Sequence, residues 1–254
     1  MSPTEHTDSP STNERTLPAA VKLYYDLYLP PDAGSLPPDA SHLTPGEHAR
    51  AAPRPLLIAL HGYGASKRQM MREARALAPA GFAIAALQGL HQHLREPMEK
   101  DAPLRFGFGW LTNFHPEDSI ALHHQALRDL IAALVDESIA DRRRVFLLGF
   151  SQSCALNYRF AFTEPEMLRG VVGLCGGLPG DWETSPLYRQ TSAAVLHLHG
   201  TRDEFYPPTR VHNYAELLRL RANRVEVKAY EAGHELTPAM RQDVRAWLEA
   251  QAGS

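Results

Sequence analysis

Five times between Leu56 and Leu198 the chain produces a short, nearly unbroken apolar run: LLIAL (56–60), FAIAAL (82–87), VFLL (145–148), GVVGL (170–174) and AAVLHL (193–198). A strand with one wet face alternates polar and apolar residues. A run without alternation belongs to a strand covered on both sides. Between the runs lie stretches with helical spacing, at residues 66–80, 117–136, 152–162, 209–221 and 238–250, and 225–230 (VEVKAY) reads as one more strand. Strands alternating with helices in this way predict an α/β domain: a mostly parallel, doubly wound sheet with helices on both faces. An aromatic and β-branched segment at 21–29 suggests a first strand, and the Pro-rich stretch 30–55 a long surface loop. Residues 1–18, polar and rich in Ser, Thr and Pro, read as a disordered tail. Residues 19–254 then form a single domain without internal repeats or a large lid.

Charge narrows the function. The formal net charge is -3 and the pI about 6.5, without a basic run of the kind that binds nucleic acid or a membrane surface. The N-terminus lacks a basic segment followed by an apolar one, and no apolar stretch reaches the roughly 20 residues that span a bilayer. Two cysteines, Cys154 and Cys175, fit a reduced, cytoplasmic protein and are expected to be buried thiols. The pairs His91/His93 and His123/His124 lack a third metal ligand at sensible spacing and read as surface histidines.

In open parallel sheets the ligand site lies at the carboxyl ends of the strands, so the residues following each run carry the chemistry. After VFLL comes Gly149-Phe150-Ser151-Gln152-Ser153 and then a helix, the arrangement in which a serine is exposed on a tight strand-to-helix turn. Exposure and a hydrogen-bonded base turn a weak hydroxyl into a nucleophile. Ser153 stands where the second glycine of G-x-S-x-G is usual, a departure that keeps the residue small. After LLIAL comes His61-Gly62-Tyr63-Gly64, a glycine-flanked turn suited to present a backbone N–H to an oxyanion. The expected donors are the N–H groups of Tyr63 and Gln152, with His61 bracing the loop.

The chain holds 13 histidines, of which His197, His199, His212 and His234 follow Ser151. The first two lie in or at the end of one strand and His212 inside a helix. His234 occupies the loop between the last strand and the last helix, where a base is required, and is the expected base. Two aspartates qualify as its orienting acid, Asp203 after AAVLHL and Asp181 after GVVGL. Asp203 is preferred because its strand is expected to neighbour the one that delivers His234.

Together these segments resemble the phospholipase/carboxylesterase family of α/β-hydrolases, which includes the acyl-protein thioesterases. The resemblance rests on LHGYG (60–64), GFSQS (149–153), HGTRDEFYP (199–207), AGHELTP (232–238) and FGFGWLTNFHPED (106–118), and runs from about Leu56 to Leu248. It implies an α/β-hydrolase fold, a Ser151–His234–Asp203 triad, oxyanion donors at Tyr63 and Gln152, and a small-molecule ester or thioester as substrate. It also implies a reaction without metal or organic cofactor. Tyr63 stands where the family more often has an aliphatic residue, which would narrow the acyl side. Phe106, Phe108, Trp110 and Phe114 are candidates for the acyl pocket, and Trp110 is the one expected to bind substrate. Small to medium acyl groups are expected. Amide hydrolysis or acyl transfer would use the same triad, and a non-catalytic binding protein of this fold would show a broken one.

Overall fold

A computed structural model describes residues 14–31, 52–95 and 103–253. The elements are β1 (Tyr25–Tyr28), β2 (Arg54–Leu60), α1 (Lys67–Leu77), β3 (Ala83–Leu87), β4 (His91–Arg95), β5 (Arg105–Gly109), α2 (Pro116–Asp136) and β6 (Ala140–Phe150). They continue with α3 (Gln152–Thr163), β7 (Gly170–Leu174), β8 (Ala194–Gly200), α4 (Pro208–Val211), α5 (Tyr214–Arg219), β9 (Val225–Tyr230) and α6 (Pro238–Ala252). Seven strands form one sheet in the order β1-β3-β2-β6-β7-β8-β9, and only β1, at the edge, runs antiparallel to its neighbour.

The unbroken apolar runs are explained by two separate cores. In β2, Leu56, Ile58 and Leu60 face one cluster, which holds Leu127, Ile131 and Leu134 of α2 and Leu156 and Phe160 of α3. Leu57 and Ala59 face the other, with Met70, Ala74 and Leu77 of α1 and Met240, Val244 and Leu248 of α6. All five β2 residues from Leu56 to Leu60 are fully buried. Burying a Leu or Ile side chain stabilises by about 1.5–3 kcal/mol, so truncating any of these would be costly. Local signals start the helices: α2 opens with Pro116 and carries Glu117 and Asp118 in its first turn. Thr237 caps α6 by accepting the Met240 N–H, with Pro238 next.

Three sequence expectations change. The first strand is only Tyr25–Tyr28, because an edge strand needs only enough length to pair with β3. The helix expected over 209–221 is two short helices broken at His212–Asn213, where Asn213 leaves helical geometry at φ -103, ψ 5. Between β3 and α2 lies an unexpected antiparallel hairpin, β4–β5. Its segments, HQHLR and RFGFG, lack the apolar density that marked the other strands. The proposed tail (1–18) lies outside the described residues except for 14–18, which form neither helix nor strand, and most of the proposed 30–55 loop lies outside them as well. Among the described residues no helix is long and apolar enough to cross a membrane.

Candidate active site

Strands β2 and β6 are neighbours, as are β8 and β9, with β7 between the two pairs, and the turns that follow these four strands meet over the sheet's carboxyl edge. The turn after β6 is the sharpest. Ser151 sits at φ 57, ψ -117, a backbone state that side-chain-bearing residues rarely adopt and that marks a strained position. Gly149 permits it: a Cβ there would stand 2.7 Å from Asn157 Nδ2 and 3.1 Å from the Cys154 nitrogen. The Ser151 N–H donates to Leu174 O of β7 at 2.9 Å, which holds the turn over the sheet.

The strained turn aims Ser151 at His234. Ser151 Oγ lies 2.9 Å from His234 Nε2, and His234 Nδ1 lies 2.9 Å from Asp203 Oδ2. The carboxylate accepts the Nδ1–H, which leaves Nε2 free to accept the serine proton. The Asp203 side chain is fully buried, and its other oxygen accepts the backbone N–H groups of Phe205 and Tyr206, each at 2.9 Å. Three donors therefore hold one carboxylate in place. Phe150, Phe205 and Tyr206 surround the imidazole, with ring centroids 5.0, 4.8 and 5.9 Å away. The pairing of β8 with β9 puts the Asp203 and His234 loops on adjacent strands, as expected.

Of the other candidates, His197, His212 and Asp181 are engaged elsewhere. His199, next to His197 along β8 with ring centroids 5.9 Å apart, has a buried Nδ1 without a hydrogen-bond partner among the described residues and makes no bond to Ser151. His197 contacts the Tyr158 hydroxyl at 2.8 Å within the core, and burial lowers its pKa to about 3. His212 Nδ1 lies 2.9 Å from Thr209 O at the end of α4. Asp181 binds both terminal nitrogens of Arg159 and the Tyr188 hydroxyl, at 2.7 to 3.0 Å.

Beside the serine, Gly62 brings the β2 turn into contact: a Cβ on it would lie 3.1 Å from Ser151 Cβ. Tyr63 and Gly64 follow, and Gly64 N–H donates to Phe108 O of β5. His61 is buried and braces this turn. Its Nε2 accepts the Gly89 N–H at 2.9 Å, so the proton sits on Nδ1, 2.7 Å from Gly62 O. Burial lowers its pKa to about 4, keeping it neutral in that role. Gln152 is the first residue of α3, where a helix leaves its N–H groups without carbonyl partners and its dipole favours negative charge. The Tyr63 ring stands half out of the protein, stacked on His93 at 4.4 Å and 7°.

Three side chains hold the two turns together. The Gln152 amide accepts the Trp110 N–H at 2.8 Å and donates to Leu111 O at 3.1 Å. Trp110 Nε1–H donates to His61 O at 2.8 Å. Ser153 Oγ accepts the Phe150 N–H at 3.0 Å and stands 3.0 Å from both Leu60 O and Phe150 O, to either of which it can donate. The Gln152, Trp110 and Ser153–Leu60 contacts join the serine turn or its helix to the loop around Gly62, directly or through Trp110, while the bonds between Ser153 and Phe150 stay within the serine turn. The sequence signals only their presence: a glutamine and a serine where the motif allows several residues, and a tryptophan read for another purpose.

That tryptophan requires a correction. Trp110 is fully buried, with its indole between His61 and His123, so it braces the loop and forms no pocket wall. Phe106 and Phe114 are exposed, at 58% and 73%, so they too are not packed as an enclosed pocket lining. The surface reading of His123 and His124 also fails: both are buried between α2 and α3, with His123 3.2 Å from Asn157 Oδ1. Cys154 and Cys175 are free, buried thiols, and burial raises the pKa of both, that of Cys175 to about 12.

The sequence profile of the Phospholipase/Carboxylesterase family matches residues 47–252. The putative esterase NocK of Nocardia uniformis subsp. tsuyamanensis is 29% identical over 177 residues, 65% of this chain and 45% of that protein. Acyl-protein thioesterase 1 of Eremothecium gossypii is 28% identical over 130 residues, 48% of this chain and 54% of that one. The chain thus spans about half the length of these curated relatives. The crystal structure of the Bacillus cereus carboxylesterase superposes with a TM-score of 0.64 at 15% identity, covering 90% of this chain and 94% of that one, a likeness of fold. With an α/β-hydrolase sheet and a family match spanning nearly all of it, the chain belongs to the phospholipase/carboxylesterase family, whose members are hydrolases of the esterase and thioesterase type.

Proposed function

We propose that the chain is a serine hydrolase that cleaves carboxylic esters or thioesters through a covalent acyl-enzyme. The observation that carries this reading is the continuous hydrogen-bonded chain from Asp203 through His234 to Ser151. Ser151 Oγ attacks the substrate carbonyl carbon while His234 Nε2 takes its proton, and Asp203 steadies the imidazolium that results. The carbonyl oxygen becomes an oxyanion held by the N–H groups of Tyr63 and Gln152. As the tetrahedral intermediate collapses, the carbon–oxygen or carbon–sulfur bond breaks and His234 returns its proton to the leaving atom. Water then attacks the acyl-serine by the reverse route, and the carboxylic acid departs with Ser151 restored. The Tyr63 ring beside the oxyanion turn, and an open site, favour small to medium acyl groups.

The test is turnover of a short-chain p-nitrophenyl ester by the wild type and by Ser151→Ala. Removing a nucleophile of this kind costs about a million-fold in turnover. Activity that vanishes in the variant supports the reading. Equal rates in the two proteins, or no turnover by either, overturn it.

A further inference from the structure

The strand order β2-β6-β7-β8-β9 puts the Tyr63 turn on one side of Ser151 and the loops of Asp203 and His234 on the other. In the proposed reaction the leaving oxygen or sulfur must come within hydrogen-bond reach of His234 Nε2 to receive its proton. The alcohol or thiol part therefore departs on the β8–β9 side, where Phe150, Phe205 and Tyr206 surround the imidazole. That leaves the β2 side for the acyl part. The large exposed side chain at the oxyanion turn on that side is Tyr63.

The Tyr63 ring is held in place by the β4–β5 hairpin. Strand β5 has glycine at both positions that face the turn, Gly107 and Gly109, which pair with His93 and His91 of β4. A Cβ at Gly107 would stand 2.7 Å from His93 Nε2 and 2.9 Å from Gly64 Cα, and one at Gly109 3.1 Å from Tyr63 Cδ2. The two rings lie against β5 because neither position carries a side chain. His93 then covers one face of Tyr63, with centroids 4.4 Å apart and planes 7° from parallel. The same Gly109 Cβ point lies 3.4 Å from Gln152 Oε1, so the ring meets the side chain that follows the nucleophile. With one face on His93 the residue is still 65% exposed, so its other face is open. A ring fixed before substrate arrives loses little freedom on binding. A saturated acyl group gains only contact area there, whereas an aromatic one adds the stacking attraction between rings.

We propose that Tyr63, backed by His93, determines specificity for the acyl group and selects a planar aromatic acyl group over a saturated one of the same size. The proposal rests on the serine-hydrolase reading given above and adds the chemical class of the acid released.

Methyl phenylacetate and methyl cyclohexylacetate test it, with acid release followed by pH-stat titration. The two esters differ in whether the ring is aromatic, and the methylene keeps either ring out of conjugation with the carbonyl. Dividing each kcat/KM by the ester's hydroxide-catalysed rate removes the remaining difference in reactivity. The wild type should favour the phenyl ester by about three- to tenfold, the range of a single aromatic pair. Tyr63→Phe should keep the preference and Tyr63→Leu should remove it. His93→Ala should reduce it, because the ring loses its backing. Each variant is read as a ratio of two esters, so a general loss of activity divides out. Equal normalised rates in the wild type, or a preference for the cyclohexyl ester, would overturn the proposal. So would a preference unchanged in Tyr63→Leu or in His93→Ala, or no turnover of either ester by an enzyme active on p-nitrophenyl butyrate. Activity that survives Ser151→Ala would instead overturn the reading beneath it.

Discussion

Replacing Ser153 with glycine would restore the usual G-x-S-x-G pattern, and by motif logic it should be harmless. The structure predicts damage. Ser153 is fully buried at the second position of α3, and its hydroxyl is the acceptor for the Phe150 N–H at 3.0 Å. The same hydroxyl has Leu60 O and Phe150 O in reach of its one proton, each at 3.0 Å. Glycine leaves the Phe150 N–H without a partner, and orphaning a buried donor costs about 1–3 kcal/mol. Glycine in place of a side chain within a helix adds roughly 0.5–1 kcal/mol through lost backbone freedom on folding. A total near 3 kcal/mol corresponds to a fall in Tm of about 6–12 °C for a chain of this size.

Ser153→Ala separates the two contributions. It removes the hydroxyl and keeps the Cβ, so it should lose most of the same stability, and glycine should be worse by about 0.5–1 kcal/mol. Scanning calorimetry or chemical denaturation of the three proteins reads the result directly. Turnover should fall as well, because Leu60 O belongs to the last residue of β2, immediately before the His61–Gly62 turn. A Ser153→Gly protein melting within about 1 °C of the wild type would refute the reasoning. It would mean that the buried hydroxyl is incidental to the elbow.

Three further outcomes follow from the same geometry. Asp203→Asn preserves the shape of the acid but not its charge on His234, and steady-state kinetics should show turnover lower by about 10,000-fold. Trp110→Phe removes one buried donor to His61 O; its Tm should fall while the preference among acyl lengths stays as in the wild type, whereas a changed preference would return Trp110 to the pocket. Stability should decline as pH falls below the ordinary histidine value, because burial holds His61 near a pKa of about 4 and His123 and His197 near about 3. The unfolded chain takes up those protons first, near pH 6.5, so the loss begins there and levels off only below the folded values. A denaturation midpoint that stays flat from about pH 7 to about pH 4.5 would contradict this.

What the sequence made legible here are features in which a residue reports its own surroundings. LLIAL declares two covered faces because each residue pays for its own burial, and the two cores divide it at every second position. Ser151, Asp203 and His234 could be singled out because each follows a strand, and a parallel sheet collects such positions at one edge. The β4–β5 hairpin gave no such report. Its residues are held by a partner strand and by the Ala65–Phe108 bridge more than by burial, so their composition stays mixed. The break at Asn213 was equally silent, since the surrounding residues have ordinary helical spacing.

Trp110 shows where reading from sequence loses its grip. Its position before a long helix was recognisable, but the use of its indole depends on a carbonyl 49 residues away, at His61. Gln152 reaches across 42 residues to the Trp110 N–H, and Ser153 across 93 to Leu60 O. In each case the partner is a backbone atom, which every residue possesses and which therefore leaves no trace in the sequence at the far end. A motif can mark where a nucleophile stands because strand, turn and helix are local. The bracing that keeps two turns at a fixed separation is made of side chain to backbone bonds, and its residues look replaceable until the fold supplies the other half. By that argument the positions most open to misjudgement from a family pattern are the buried polar ones flanking the nucleophile, where a substitution toward the common residue removes a bond that this chain's particular packing requires.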